Sequence, residues 1–499
     1  MRILLLFGAI AMGVNALSQP FCGTRKEVLH EIAERVRARQ VEELVVSRNE
    51  IIFLPLVFHL VANDNGSDGM SEAEALDQLC QLNSDFLEAD IQFYLKEIKV
   101  LKSTQANENP LDATEQLRKV RSSNAINIFV TKQIVLNEGE LENKTLGYYD
   151  GLRDWLFVTK AQFDNRSTVL THEIGHFLGL LHPYHGWEDS PWQAAIHGNP
   201  APVYSPSGIP TELADQSNCN ASGDFICDTP ADYFFAFNWL DCEYLAESFD
   251  PIGNRVDPDE YNFMNSFIND CDRARYRFTD AQKTIMQQEL ASSRRNYIRT
   301  SYLPVNKPIT VLPLLNSPHQ SGDALLYNNV TLSWMPVEGA NEYLIEIDRL
   351  SSFDFAPIRK LVDTNILIVK ELQSNRKYFW RVRPYNEYQT CTAFSEPNTF
   401  TTGNVADTSQ LPLIESIQIY PSPASAQGQI NLELSTRRTF HAELFVYDSK
   451  GDLVLEDGLE LSPGIQNYTW LSSGYASGLY VVLVVTEEGT QVLKLLITN

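Results

Sequence analysis

Three kinds of hydrophobic pattern follow one another along the chain. Ile51 to Val61 is an almost unbroken apolar run, as expected of a strand buried on both faces. An Asn/Asp/Gly turn follows. Behind Ser71, placed as an N-cap, Leu76, Leu79, Asn83 and Leu87 recur at helical spacing. Further strands are expected at 91–100, 125–135 and 155–159, so strands and helices alternate to about residue 181. Ahead of this body, 17–50 is charge-rich, with Val28, Ile32 and Val36 on a helical stripe and no core of its own. Residues 184–260 are rich in Pro, Gly, Asn and Asp and read as loop-dominated. After about residue 305 the pattern becomes short alternating strands with turns every ~8–12 residues. These form two blocks, 308–403 and 409–499, joined by a Gly/Asn/Asp/Thr/Ser linker. The expected architecture is an α+β body followed by two all-β sandwich domains.

Composition narrows the function. The 499 residues carry 39 Lys+Arg against 64 Asp+Glu, a formal net charge of −25. A phosphate-backbone binder needs a basic footprint, so no nucleic-acid partner is expected. Met1 to Val14 places one positive charge before a short apolar run, and Val14-Asn15-Ala16 offers small residues for cleavage. This reads as a signal peptide, 1–16, because the run is well short of the ~20 residues of a membrane span. No transmembrane segment is expected elsewhere. Export makes disulfides the default for seven cysteines. Cys219, Cys227, Cys242 and Cys271 fall close together and can form two bridges, with the pairing left open. Cys80 sits on the apolar stripe of its helix and reads as a buried core thiol; Cys22 and Cys391 remain.

The chemistry is concentrated in Thr171-His172-Glu173-Ile174-Gly175-His176-Phe177-Leu178-Gly179-Leu180-Leu181-His182. His172 and His176, four apart on a helix, share a face and can reach one zinc ion. Glu173 is displaced around the helix, so its carboxylate can take a proton from the attacking water and return it to a leaving amine. Gly179 can adopt the left-handed conformation that ends a helix, which turns His182 back toward the metal. Three histidines leave a coordination position open, the catalytic arrangement and not the structural one. His59 and His185 read as structural or solvated.

The motif HExxHxxGxxH resembles the metzincin signature. Its surroundings are similar to the pappalysin family of secreted metalloproteases. The similarity lies in Gly223-Asp224-Phe225-Ile226-Cys227-Asp228-Thr229-Pro230-Ala231, Asn262-Phe263-Met264, Cys271 and Arg277-Phe278-Thr279-Asp280-Ala281-Gln282, within 51–302. The resemblance implies a twisted sheet with an active-site helix, Met264 as the Met-turn residue beneath the histidines, and one catalytic zinc. Where many relatives have a Tyr two residues after that Met, this chain has Ser266. Asp270, directly before Cys271, stands where related enzymes that favour Arg or Lys just after the cut carry an acid. Calcium is a further expectation of the resemblance, with Asp224 and Asp228 as oxygen donors.

Phe21-Cys22-Gly23-Thr24 precedes the body, and similar Cys-Gly segments in metzincin precursors put a thiolate on zinc in place of the catalytic water. Residues 17–50 are therefore expected to be a propeptide, with Cys22 as its switch and cleavage near Arg37, Arg39 or Arg48. Residues 308–403 resemble a fibronectin type III domain through Leu332-Ser333-Trp334, the alternating Tyr343, Ile345 and Ile347, and Leu372 with Tyr378 as a tyrosine corner. That block reads as a spacer. Residues 409–499 are similar to the C-terminal sorting domain of type IX secretion. They carry Ile419-Tyr420-Pro421-Ser422-Pro423-Ala424, Val446-Tyr447-Asp448-Ser449-Lys450-Gly451, Ser477-Gly478-Leu479-Tyr480 and Val492-Leu493-Lys494-Leu495. Ser422 replaces the family's usual Asn. The resemblance implies a bacterial protein, released or held at the outer surface, with that secretion machinery and protein or peptide substrates as partners. The reading is a secreted zinc endopeptidase made as a latent precursor. Two others stay open: a surface adhesin with an inert protease body, against which the intact Glu173 argues, and a zinc hydrolase of a non-peptide substrate.

Overall fold

The computed structural model describes residues 22–39, 51–135, 145–163, 166–235, 239–240, 242–265, 271–299, 307–318, 326–405, 413–486 and 488–498. The expected signal peptide, Ser266 and Asp270 lie outside these residues.

The body is built on a five-stranded sheet. Its strands are β1 (Ile52–Ala62), β2 (Ile91–Lys102), β3 (Ile126–Thr131), β4 (Gly147–Asp150) and β5 (Trp155–Thr159). The spatial order is β2-β1-β3-β5-β4, with β4 alone antiparallel to its neighbour. Both faces are covered, which explains the unbroken apolar run of β1. On one face Leu54, Leu56, Phe58 and Leu60 join a core with helices α1 (Lys26–Arg39), α2 (Glu72–Asp85), α3 (Val169–Phe177) and α4 (Asp280–Ala291). On the other, Val61, Phe129, Trp155 and Phe157 pack with Ala106, Ala113 and Leu117 of two short helical turns. Ser71 caps α2, and its capping box with Glu74 fixes where the helix starts. His59 is buried on β1, stacked on Phe129 at 4.3 Å and bonded to Asn127 at 2.9 Å, as a structural histidine would be.

Residues 315–401 form two facing sheets around Trp334 and Trp380, and the Tyr378 hydroxyl accepts the Gln373 N–H at 3.0 Å. This unit is docked on the edge strand β2. Leu95 N–H donates to Glu387 O at 2.9 Å, Tyr388 packs its ring on Phe53 and Tyr94, and Asp77 of α2 takes Arg359 at 2.6 Å. Leu344 and Tyr385 belong to the same apolar core as the body. Cys80 and Cys391 form a disulfide across this contact. Cys80 is thus not the free core thiol its position on the stripe suggested, because the helix face it occupies is an interface between two units. The last unit, from Ile414 to Thr498, is a second pair of sheets whose apolar cluster is drawn from its own residues.

Candidate metal centre and its cover

All nine residues of α3 are buried. The helix stops at Phe177, and Gly179 at φ +88° reverses the chain. The returning segment sets His182 Nε2 3.1 Å from His176 Nε2. One ligand atom from each of Cys22, His172, His176 and His182 lies within 4.8 Å of all the others.

The hydrogen bonds on the far side of each ring decide what faces inward. His172 Nδ1 pairs with Phe263 O at 2.9 Å, and His176 Nδ1 with Leu180 O at 2.9 Å. A carbonyl oxygen only accepts, so each Nδ1 carries the proton and each Nε2 presents a lone pair. Burial, reinforced by the neighbouring histidines, holds His172 and His176 well below the ordinary imidazole range, so both are neutral. Burial lowers His182 as well. Nitrogen lone pairs 3.1 Å apart repel one another, and a cation between them removes the repulsion. The donor set of three imidazoles and a thiol suits zinc.

Glu173 is fully buried beside this cluster. Its Oε2 accepts the Thr24 hydroxyl at 3.2 Å, while Oε1 has no hydrogen-bond partner among the described residues. Burial pushes its carboxyl up to about 8. Met264, also fully buried, lays its sulfur where a side chain at Gly175 would stand, directly under the helix. Its neighbour Phe263 supplies the carbonyl that orients His172.

The segment before α1 covers the cluster. Cys22 Sγ stands 3.4 Å from His176 Nε2, and Gly23 N–H donates to Gly147 O at 2.8 Å on the edge strand β4. Thr24 Oγ1 also accepts the Tyr149 N–H at 3.0 Å. Helix α1 then buries Val28, Leu29, Ile32, Ala33 and Val36 in the body's core, the core that 17–50 lacks by itself.

Several site residues were not singled out from the sequence. A Cβ at Gly147 would lie 2.7 Å from Glu173 Oε1 and 2.6 Å from Val169, so β4 can approach α3 only through a glycine. Glu188 accepts from His185 Nδ1 at 2.9 Å and Gly186 N–H at 2.7 Å, and meets His182 Nδ1 at 3.4 Å. Burial alone would raise the Glu188 carboxyl, but the bonds to His182 and His185 outweigh it and hold it far below the usual range. His185 is accordingly structural. Thr24 has no local signature beyond following Cys-Gly.

The four clustered cysteines pair as Cys219–Cys227 and Cys242–Cys271. Asp224 is buried near Glu212, and its Oδ2 and both Glu212 carboxylate oxygens have no hydrogen-bond partner among the described residues. Burial raises both carboxyls, helped by the charge of Asp224 at Glu212 and by that of Asp228 at Asp224. Asp228 is exposed and committed elsewhere, accepting Thr279 Oγ1 at 2.7 Å and Ala281 N–H at 2.8 Å at the start of α4.

This arrangement of histidines around a buried glutamate is that of a metal-dependent hydrolase, and the comparisons agree. An extracellular metalloprotease of Colletotrichum graminicola is 26% identical over 311 residues, covering 59% of this chain and 98% of the relative. One from Neurospora crassa is 23% identical, covering 58% and 94%, and extracellular metalloprotease 1 of Coccidioides posadasii is 24% identical, covering 56% and 93%. Residues 418–498 match the family described as the secretion system C-terminal sorting domain. Among solved structures, the chicken CNTN1 FN1–FN3 domains overlap 39% of this chain and 69% of theirs at 12% identity, with a TM-score of 0.19, too low to carry weight. The similarities support a secreted metalloprotease with a sorting tail. Among the described residues no helix is long and apolar enough to cross a membrane.

Proposed function

We propose that the chain is the precursor of a secreted zinc endopeptidase of metzincin type, similar to pappalysins. The observation that carries this is the convergence of three histidine nitrogens beside the buried Glu173. His172, His176 and His182 would hold the ion, with Met264 as the apolar floor under them. Zinc, when bound, supplies the Lewis acidity that activates water and polarises the scissile carbonyl. Glu173 takes the proton of the attacking water at its carboxylate and delivers it to the leaving amine. Asp270 would favour Arg or Lys after the cut.

In the precursor Cys22 Sγ, 3.4 Å from His176 Nε2, would take the position the histidines leave open, Thr24 holds the Glu173 carboxylate, and residues 22–24 pair with the β4 edge. Residues 17–50 are then the propeptide, 51–302 the protease, 308–403 a fibronectin-like unit and 409–499 the sorting domain. Calcium would fit the Glu212–Asp224 pair, whose buried oxygens have no other partner among the described residues. A fall in thermal midpoint on treatment with a calcium-selective chelator, reversed by calcium, is expected; an unchanged midpoint rejects that site.

The function is tested by incubating the matured enzyme with a mixed peptide library, wild type beside Glu173→Gln, and assaying zinc in both. Both are expected to hold about one zinc, with the variant ~100-fold or more slower. Equal zinc and no cleavage by either would reject the peptidase.

A further inference from the structure

We propose that Glu188 is a positioning residue for the third metal histidine, its carboxylate selecting the edge of His182 that faces the ion. The inference rests on the zinc reading above and adds a residue to it.

The three histidines are not supported alike. His172 and His176 are oriented by main-chain carbonyls, Phe263 O and Leu180 O, fixed by the folding of α3 and the segment around Met264. His182 lies beyond the Gly179 reversal, outside any helix, and its Nδ1 contact is a side chain, Glu188 Oε1 at 3.4 Å. Its plane is set by stacking: the ring lies 4.6 Å from that of Tyr184 at 8°, and Tyr184 lies 4.3 Å from Phe234 at 11°. A stack fixes the plane of a ring but not which edge points inward. A hydrogen bond at Nδ1 does fix it, and leaves Nε2 for the metal.

The carboxylate can do this because it is itself held. Its Oε2 accepts the Gly186 N–H at 2.7 Å and its Oε1 the His185 Nδ1 at 2.9 Å. The turn closes through His185 N–H to His182 O at 3.0 Å and Trp187 N–H to Tyr184 O at 3.0 Å. Gly186 sits at φ +99° against Ser205 and Ile209, with no room for a Cβ. A charged acceptor also makes the ligand a better donor to zinc than a neutral carbonyl would.

The test uses the full chain, with zinc affinity measured by chelator competition and thermal midpoints taken on the metal-stripped protein. Glu188→Gln keeps an acceptor for the Gly186 N–H and removes the charge. It is expected to weaken zinc ~10–100-fold, leave the metal-free midpoint unchanged, and shift the visible bands of the cobalt-loaded protein. Glu188→Asp, which keeps the charge, should restore part of the affinity, and it provides the measurement if the Gln variant does not fold. Wild-type zinc affinity in Glu188→Gln, or a loss matched by a drop in the metal-free midpoint, overturns the proposal and leaves Glu188 a loop-building residue. Failure of the wild type to take up zinc overturns the metal reading itself.

Discussion

The body's sheet has two edges, and the chain covers them by different means. Along β4, residues 22–24 and α1 are held by hydrogen bonds, apolar packing and ion pairs such as Arg294–Glu31 at 2.7 Å. Along β2, the first β unit adds to main-chain pairing and ion pairs a disulfide joining positions 311 residues apart. An uncovered edge invites pairing with another chain. At β2 that is a hazard, and the cover there is covalent. At β4 the cover is not covalent, so in the proposed reading it can leave once the chain is cut and free an edge for extended substrate. A cut between Arg299 and Lys307 would leave the first β unit attached to the body through Cys80–Cys391.

Breaking the β2 cover should have the largest effect. Cys80→Ser with Cys391→Ser is expected to cost about 2–5 kcal/mol, the range for closing a long loop, read as a lower midpoint in denaturant. An unchanged midpoint would make the two edges equivalent. Loosening the β4 cover comes next. A Cβ at Gly151 would meet Val28 of α1 at 2.6 Å, so Gly151→Ala should weaken the docking of α1 by about 1–3 kcal/mol. The uncut precursor should then show raised basal hydrolysis with stability of the matured enzyme near wild type; equal basal rates would contradict this.

A smaller effect separates the sheet from both covers. Burial is the main cause that holds His59 at about 4, against an ordinary 6.5. The folded state therefore binds fewer protons than the unfolded chain between these values. The contribution of His59 is complete above pH ~6.5 and declines as pH falls toward 4, by about 1.4 kcal/mol at pH 5.5. The difference in thermal midpoint between wild type and His59→Gln should change by the corresponding amount between pH 5.5 and 8, and by the same amount with or without residues 22–39.

What could be read from the sequence was local. The histidine spacing, the Gly179 reversal and the Ser71 cap each depend on residues within about two turns of one another, so spacing alone carries them. The Cys80–Cys391 bridge escaped because an apolar helix stripe looks the same whether it faces a core or another unit. Gly147 and Thr24 matter only because β4 and the N-terminal segment meet Glu173, a contact of topology. The partners of Asp228, Thr279 and Ala281, lie 51 and 53 residues away at the start of α4, out of reach of any local pattern. Glu188 is near His182 in sequence, but no regular element relates them; only the folded turn does.

The central claim is that a zinc peptidase is assembled here and held silent by the segment over β4. The most direct test is peptide hydrolysis by the uncut chain, wild type beside Cys22→Ala, with zinc assayed and chain length checked after the reaction. The account predicts a silent wild type and a Cys22→Ala chain that cleaves while remaining intact. Both chains holding zinc and staying silent, before and after removal of residues 22–39, would contradict it.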